Sequence, residues 1–278
     1  MPIGVASPPA GGSSSPSKVS LAVVMLAPKL AAHSTKIIQN EQLYARIKAV
    51  YEQREDLDLT PEEQRLLQTT YEQFFLSGAD LDAAGKARYA AINEELAQLH
   101  TQFSNNLLAD EEGWATRFTE AQAEGLPASY LAASKVEGED GVYEVKNTRS
   151  SMDPFLTYAD DRALREEVWR KYYNRGNNAD EHDNNEIIAR ILQLRNERIQ
   201  LLGYDTYADW QLTNRMAKTP AAATELMETV WAKAVERAEE EIADMQKLAD
   251  AEGAGITIQP WDYRYYMEKV RQRMRIIS

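Results

Sequence analysis

Apolar residues recur three or four positions apart along most of this chain, and that period restricts it to helices more tightly than any other feature. Ile37, Ile38, Leu43, Ile47, Val50 and Tyr51 fall near that spacing on one face. A sharp start signal, Thr60-Pro61-Glu62-Glu63, follows. Thr60 can cap, Pro61 has the φ that the first helical position wants, and Glu63 can close a capping box. The helix it opens carries Leu66, Leu67, Tyr71, Phe74 and Phe75 up to Ser77-Gly78. A third begins near Asp80 or Asp82 and runs to about Leu108, with Tyr89, Ile92, Leu96, Leu99 and Phe103 as its stripe. Further on, Asp160 or Asp161 caps a segment through Arg165, Val168, Trp169 and Tyr172. Asp183 to Leu202 is periodic through Ile187, Ile188, Ile191, Leu192 and Leu194, and Gly203 stops it at the position glycine favours. Thr219-Pro220 opens the longest helix, with Leu226, Val230, Val235, Ile242, Met245 and Leu248 on one face, before Gly253 and Gly255. Pro260 to Ile277 is aromatic-rich and helical in pattern.

The middle breaks this period. Trp114, Thr116 and Phe118 alternate with Ala115 and Arg117, and Val142, Tyr143 and Val145 lie among charged neighbours. A short two-stranded β element is therefore expected near residues 114–118 and 142–147, with a loop-and-helix insert holding Leu126-Pro127 and Gly138 to Gly141. Long helices joined by short loops make the expected class all-α, a multi-helix layered assembly. No fixed-period repeat stands out, which argues against a solenoid. Pro8-Pro9 and the run from Gly11 to Pro16 cannot bury a core, so residues 1–23 read as a flexible tail and 24–278 as the helical part.

Charge and composition exclude several functions. The 44 Asp plus Glu against 31 Lys plus Arg give a net charge of -13. Such a field repels phosphate backbones and anionic lipid, so neither nucleic acid nor a membrane is an expected partner. The basic run Arg264, Lys269, Arg271, Arg273 and Arg275 reads as the positive end of a helix, the alternative being a small binding patch. Cysteine is absent, which excludes disulfides, thiolate nucleophiles and thiolate zinc sites and fits a reducing compartment. Val19 to Leu30 is apolar but preceded by only one basic residue, Lys18, so a cytoplasmic location is expected over a periplasmic or secreted one.

The residues alone name no reaction. The three histidines, His33, His100 and His182, make no His-Glu-x-x-His, the arrangement that sets two imidazoles one turn apart to share a metal. His182 and Glu186 are four apart and could face one ion, but His182 more simply precedes a helix cap at Asp183. Paired carboxylates such as Glu94-Glu95, Glu166-Glu167 and Glu239-Glu240-Glu241 suit a solvated acidic face, and acid/base work needs environments that split their pKa values. No phosphate loop, nucleophile elbow or dinucleotide fingerprint is present. No catalytic or metal-ligating residue is thus assigned. Trp261, Tyr263, Tyr265 and Tyr266 could line a peptide groove, or simply pack between long helices.

Several blocks nevertheless carry a resemblance. They include Leu30-Ala-Ala-His-Ser-Thr-Lys-Ile, Phe103-Ser-Asn-Asn-Leu-Leu, Phe155-Leu-Thr-Tyr-Ala-Asp-Asp-Arg-Ala-Leu-Arg, Ile187-Ile-Ala-Arg-Ile-Leu-Gln-Leu-Arg, Met216-Ala-Lys-Thr-Pro and Pro260-Trp-Asp-Tyr-Arg-Tyr-Tyr. In order and spacing they resemble the bacterial peptidyl-dipeptidases (dipeptidyl carboxypeptidases) of the thimet oligopeptidase family of zinc metallopeptidases, over roughly Val24 to Arg271. The resemblance implies a mostly helical molecule around a deep channel, peptides as substrates, and zinc held by a His-Glu-x-x-His helix plus a distant Glu. That motif lies downstream of the Trp-Asp-Tyr-Arg-Tyr-Tyr block in the family and is absent here, so no zinc ligand or catalytic Glu transfers to any position. Residues from Arg273 onward depart from the pattern, as does the Pro/Ser/Gly-rich leading end. The expected function is that of the N-terminal portion of a peptidyl-dipeptidase, inactive alone and partnered by a C-terminal catalytic part. The alternative is a non-catalytic helical peptide-binding or interaction protein, and neither needs a cofactor bound to this chain.

Overall fold

A computed structural model describes Leu26, Lys29, Leu30 and residues 32–277; the expected tail and the apolar stretch before Leu26 lie outside the described residues. After a helical stretch at 32–38, the α-helices in chain order are α1 (Glu41–Glu52), α2 (Pro61–Phe75), α3 (Ala83–Gly113), α4 (Ala128–Ser134), α5 (Arg149–Tyr158), α6 (Arg162–Tyr173), α7 (Asn185–Leu201), α8 (Tyr207–Leu212), α9 (Pro220–Ala251) and α10 (Tyr263–Ile277). Strands β1 (Thr116–Thr119) and β2 (Val142–Val145) pair antiparallel, with Phe118 opposite Tyr143. The chain is mostly helical, with one two-stranded sheet among the described residues.

The caps read from sequence do what their chemistry allows. Thr60 Oγ1 accepts from the Glu63 amide at 3.3 Å while the Glu63 carboxylate accepts from the Thr60 amide at 2.9 Å. Asp161 accepts from the Leu164 amide and starts α6, and Asn40 does the same for α1 through Leu43. Asp82 accepts from the Gly85 amide at 2.7 Å and starts α3. That helix runs past the expected end near Leu108 to Gly113, and burial explains the extension. Asp110 is fully buried, accepting from the Gly176 amide at 2.6 Å and from the Asn178 amide group at 2.9 Å, and Glu111 pairs with Arg175.

The described chain divides into two compact units, residues up to Ser104 with Asn185–Ala223, and Asn105–Asn184 with Thr224 onward. In the first, Ile92 and Leu96 of α3 pack on Ile187, Ile191 and Leu194 of α7. Arg88–Glu197 and Arg190–Glu95 ion pairs flank that seam, each through two hydrogen bonds of 2.5–3.0 Å. Tyr44, Phe74 and Ala79 form a smaller cluster beside Tyr71.

In the second unit, the pleat puts Thr116 and Phe118 inward on β1 and Tyr143 and Val145 inward on β2. These meet Met152, Phe155 and Leu156 of α5, all essentially inaccessible. Helix α5 is not anticipated from the sequence, because Pro154 stands inside it. An interior proline costs roughly 3 kcal/mol, whereas burying three large apolar side chains contributes about 1.5–3 kcal/mol each, so burial wins. A second cluster joins Met245, Leu248 and Ala249 of α9 to Tyr265 and Tyr266 of α10.

Candidate functional site

The aromatic run before and within α10 was the one set of side chains that the sequence offered for ligand contact. All four residues belong to the second unit. Trp261, Tyr265 and Tyr266 are buried, while Tyr263 remains partly open. The reason is the carboxylate in their midst. Asp262 is fully inaccessible and accepts hydrogen bonds from Arg162 at 2.9–3.1 Å, from Arg165 at 2.9 Å and from the Gln259 amide at 3.1 Å. Arg165, 2% exposed, also donates to the carbonyls of Ala159 and Asp160 and lies over the Tyr265 ring at 4.1 Å. Burial alone would push the Asp262 carboxyl up, but the hydrogen bonds from Arg162 and Arg165 outweigh it and hold the group below the usual carboxylate range. Burial, and then the 2.5 Å hydrogen bond to Asp160, push the Tyr265 phenol up. These groups fix α6 against α10 and leave their aromatic neighbours in defined positions.

Beside this knot opens a cavity of about 460 Å³, lined chiefly by Trp169 and Tyr173 of α6, Ile242 of α9, and Ile258, Pro260 and Tyr263. Of the four aromatic residues named from sequence, Tyr263 alone is in its lining. Trp261 stands behind it, edge-on to Trp169 at 5.9 Å, with the Arg170 guanidinium 5.0 Å above its ring. Trp169 and Tyr173 are four residues apart on one helix face, 4.9 Å between ring centroids. That spacing was the signal available in the sequence, but it could not show that residues about 70 and 90 positions later, Ile242 and Ile258 to Tyr263, close the same hollow. An apolar, aromatic cleft with one cation at its edge, Arg264, suits an apolar or aromatic group. Arg264 is held by Asp153 at 2.9 Å.

Zinc, which the resemblance implies, needs three or more N or O ligands converging at roughly 2.0–2.2 Å. Among the described residues no group of three His, Asp or Glu side chains does so. His33 is exposed, His100 faces two arginines, and the His182 imidazole lies 3.7 Å from the Glu181 carboxylate. These residues do not fit a zinc site. Within the basic run near the end, Lys269 meets Glu252 at 2.9 Å, Arg271 meets Glu268, and Arg273 lies 3.9 Å from Glu252.

Residues 155–276, which hold α6, the cavity and α10, match the model of peptidase family M3. The dipeptidyl carboxypeptidase of Escherichia coli is 34% identical over 249 residues, 88% of this chain. The chain belongs to peptidase family M3. Oligopeptidase A of Escherichia coli is likewise 34% identical over 261 residues, and the organellar oligopeptidase A of Arabidopsis thaliana is 31% identical over 258. The chain spans 37%, 38% and 32% of the lengths of these three M3 relatives. No helix among the described residues is long and apolar enough to cross a membrane.

Proposed function

We propose that these 278 residues are the helical scaffold and part of the peptide-binding wall of a zinc peptidase of the dipeptidyl carboxypeptidase type, and that they do not hydrolyse peptides alone. One observation carries this reading. A chain 34% identical to a dipeptidyl carboxypeptidase across 88% of its length gathers no three metal-ligating side chains among the described residues. In the reading, zinc would be held by a His-Glu-x-x-His part outside these residues and would supply an activated water there. The residues here hold and orient substrate: Trp169, Tyr173 and Tyr263 receive an apolar side chain, and the Arg162–Asp262–Arg165 cluster keeps α6 and α10 rigid beneath them. The proposed setting is cytoplasmic, consistent with a chain free of cysteine.

The test is hydrolysis of an N-blocked tripeptide by the purified chain with added zinc, with and without a chelator. No chelator-sensitive turnover is expected. Robust turnover abolished by chelation would sink the reading and require ligands drawn from His33, His100 or His182. A second reading, a helical peptide-binding protein without chemistry, is favoured specifically by the open aromatic cavity. Supplying a His-Glu-x-x-His catalytic part in trans separates the two. Restored turnover supports the scaffold, and saturable peptide binding without turnover supports the binding protein.

A further inference from the structure

The arginines of α7 fall into two groups. Arg190 grips the Glu95 carboxylate through two hydrogen bonds, and Arg88 of α3 grips Glu197 in the same way. Arg195 and Arg198, one turn apart on another face of α7, have no carboxylate partner among the described residues. Both border an open cavity of about 470 Å³ in the first unit, with His100, Asn93, Thr35 and Tyr207 around them. Among the described residues, no Asp or Glu lines it. In a chain of net charge -13, where Arg264, Lys269 and Arg271 of α10 each meet a carboxylate, two neighbouring guanidiniums without a counter-charge among the described residues stand out.

Their orientation is fixed without an anion. The Arg195 guanidinium lies 5.2 Å from the Tyr207 ring centroid, and that of Arg198 lies 5.2 Å from Trp210. Arg198 also donates to the Asn93 side-chain oxygen at 3.1 Å. Its Nε is buried and has no hydrogen-bond partner among the described residues. A buried charged donor left unmet is costly, and like charges one turn apart repel, so the arrangement is unfavourable until an acceptor arrives. Arg is also the side chain whose planar fork matches a carboxylate or phosphate. The neutral lining adds hydroxyl donors from Ser34, Thr35 and Tyr207. Burial, and after it the two guanidiniums, hold the His100 imidazole below its ordinary value.

We propose that Arg195 and Arg198, with His100, Asn93, Thr35 and Tyr207, form a binding site for a small oxyanion, either a phosphate or a carboxylate group. It lies in the first unit, does not involve the aromatic cavity of the second, and stands whether or not the peptidase reading holds. With three histidines in the chain, the imidazole C2 protons can be followed one by one in solution NMR and assigned with His33→Gln and His182→Gln variants. Inorganic phosphate and, separately, acetate are titrated against sodium chloride at matched ionic strength. A saturable shift confined to His100, with its titration midpoint moved upward, is the expected result. Whichever of the two anions binds more tightly identifies the group the site takes. Arg195→Gln weakens that binding by about tenfold, as loss of one charge-assisted hydrogen bond should, whereas Arg190→Gln leaves it unchanged. The proposal is overturned if neither anion shifts His100 beyond the chloride control, if all three histidines move together, or if Arg195→Gln binds as tightly as the native chain.

Discussion

At the scale of single residues, Asp262 carries the most consequence. Its carboxylate is completely withdrawn from water and compensated by two guanidiniums and one backbone amide. Replacing Arg165 by Met removes the most buried of those partners and leaves the inaccessible carboxylate with Arg162 as its one guanidinium, a defect approaching the roughly 3–5 kcal/mol of a broken buried pair. Urea unfolding of Arg165→Met is expected to show a loss of that order, while Arg149→Met, whose pairing with Asp153 is largely exposed, is expected to change little. The same carboxylate gives a pH dependence. Its folded value lies below the ordinary 3.8, so its contribution to stability is complete above about pH 4. It is lost as pH falls through the depressed folded value. Asp262→Asn therefore lowers stability at neutral pH and flattens the acid limb of the stability curve below pH 4. An unchanged acid limb in the variant would show that other carboxylates govern it.

At the scale of elements, what could be read from the sequence was whatever depends on neighbours in the chain. Thr60, Asp161 and Gly203 each act within four residues, and each sits where its chemistry predicts. The two strands were legible because their alternation is local. Helix α5 and the last turns of α3 were not, because both rest on burial against distant segments, Phe118 and Tyr143 in one case and Gly176 and Asn178 in the other. The aromatic cavity and the Arg195–Arg198 cavity were hidden for the same reason: each gathers residues from three or more segments. Turn glycines show how far a local rule reaches. Gly125 and Gly138 both have φ near +80°, which L side chains rarely adopt. A Cβ on Gly138 would meet nothing within 4 Å, whereas one on Gly125 would come within 2.2 Å of the Tyr158 carbonyl oxygen. Gly138→Ala is expected to cost only the conformational penalty, roughly 1–2 kcal/mol. Gly125→Ala is expected to cost distinctly more, because the backbone ahead of α6 has to move. Comparing their denaturation midpoints checks this; equal losses would mean that the turn at Gly125 relaxes freely.

At the scale of the whole molecule, the longest helix sets the behaviour in solution. The stripe that α9 buries at its C-terminal end through Met245, Leu248 and Ala249 continues uncovered toward its start. There Leu226, Met227, Val230 and Trp231 are 69%, 62%, 59% and 70% exposed. Four large apolar side chains on consecutive turns of one helix are more than the scattered exposure that soluble surfaces tolerate. Around them the helix is acidic, with Glu225, Glu228, Glu236 and Glu239 to Glu241 against Lys233 and Arg237, so charge keeps like copies apart while apolar surface stays accessible. The chain is therefore expected to bind an apolar dye such as anilinonaphthalene sulfonate in its folded state. Leu226→Glu combined with Trp231→Glu should remove most of that fluorescence and leave the helical circular dichroism and unfolding midpoint within about 0.5 kcal/mol of the native chain, as exposed substitutions do. A fall in stability well beyond that would mean the stripe is packed in solution, and dye binding that survives both substitutions would place the exposed apolar surface elsewhere on the chain.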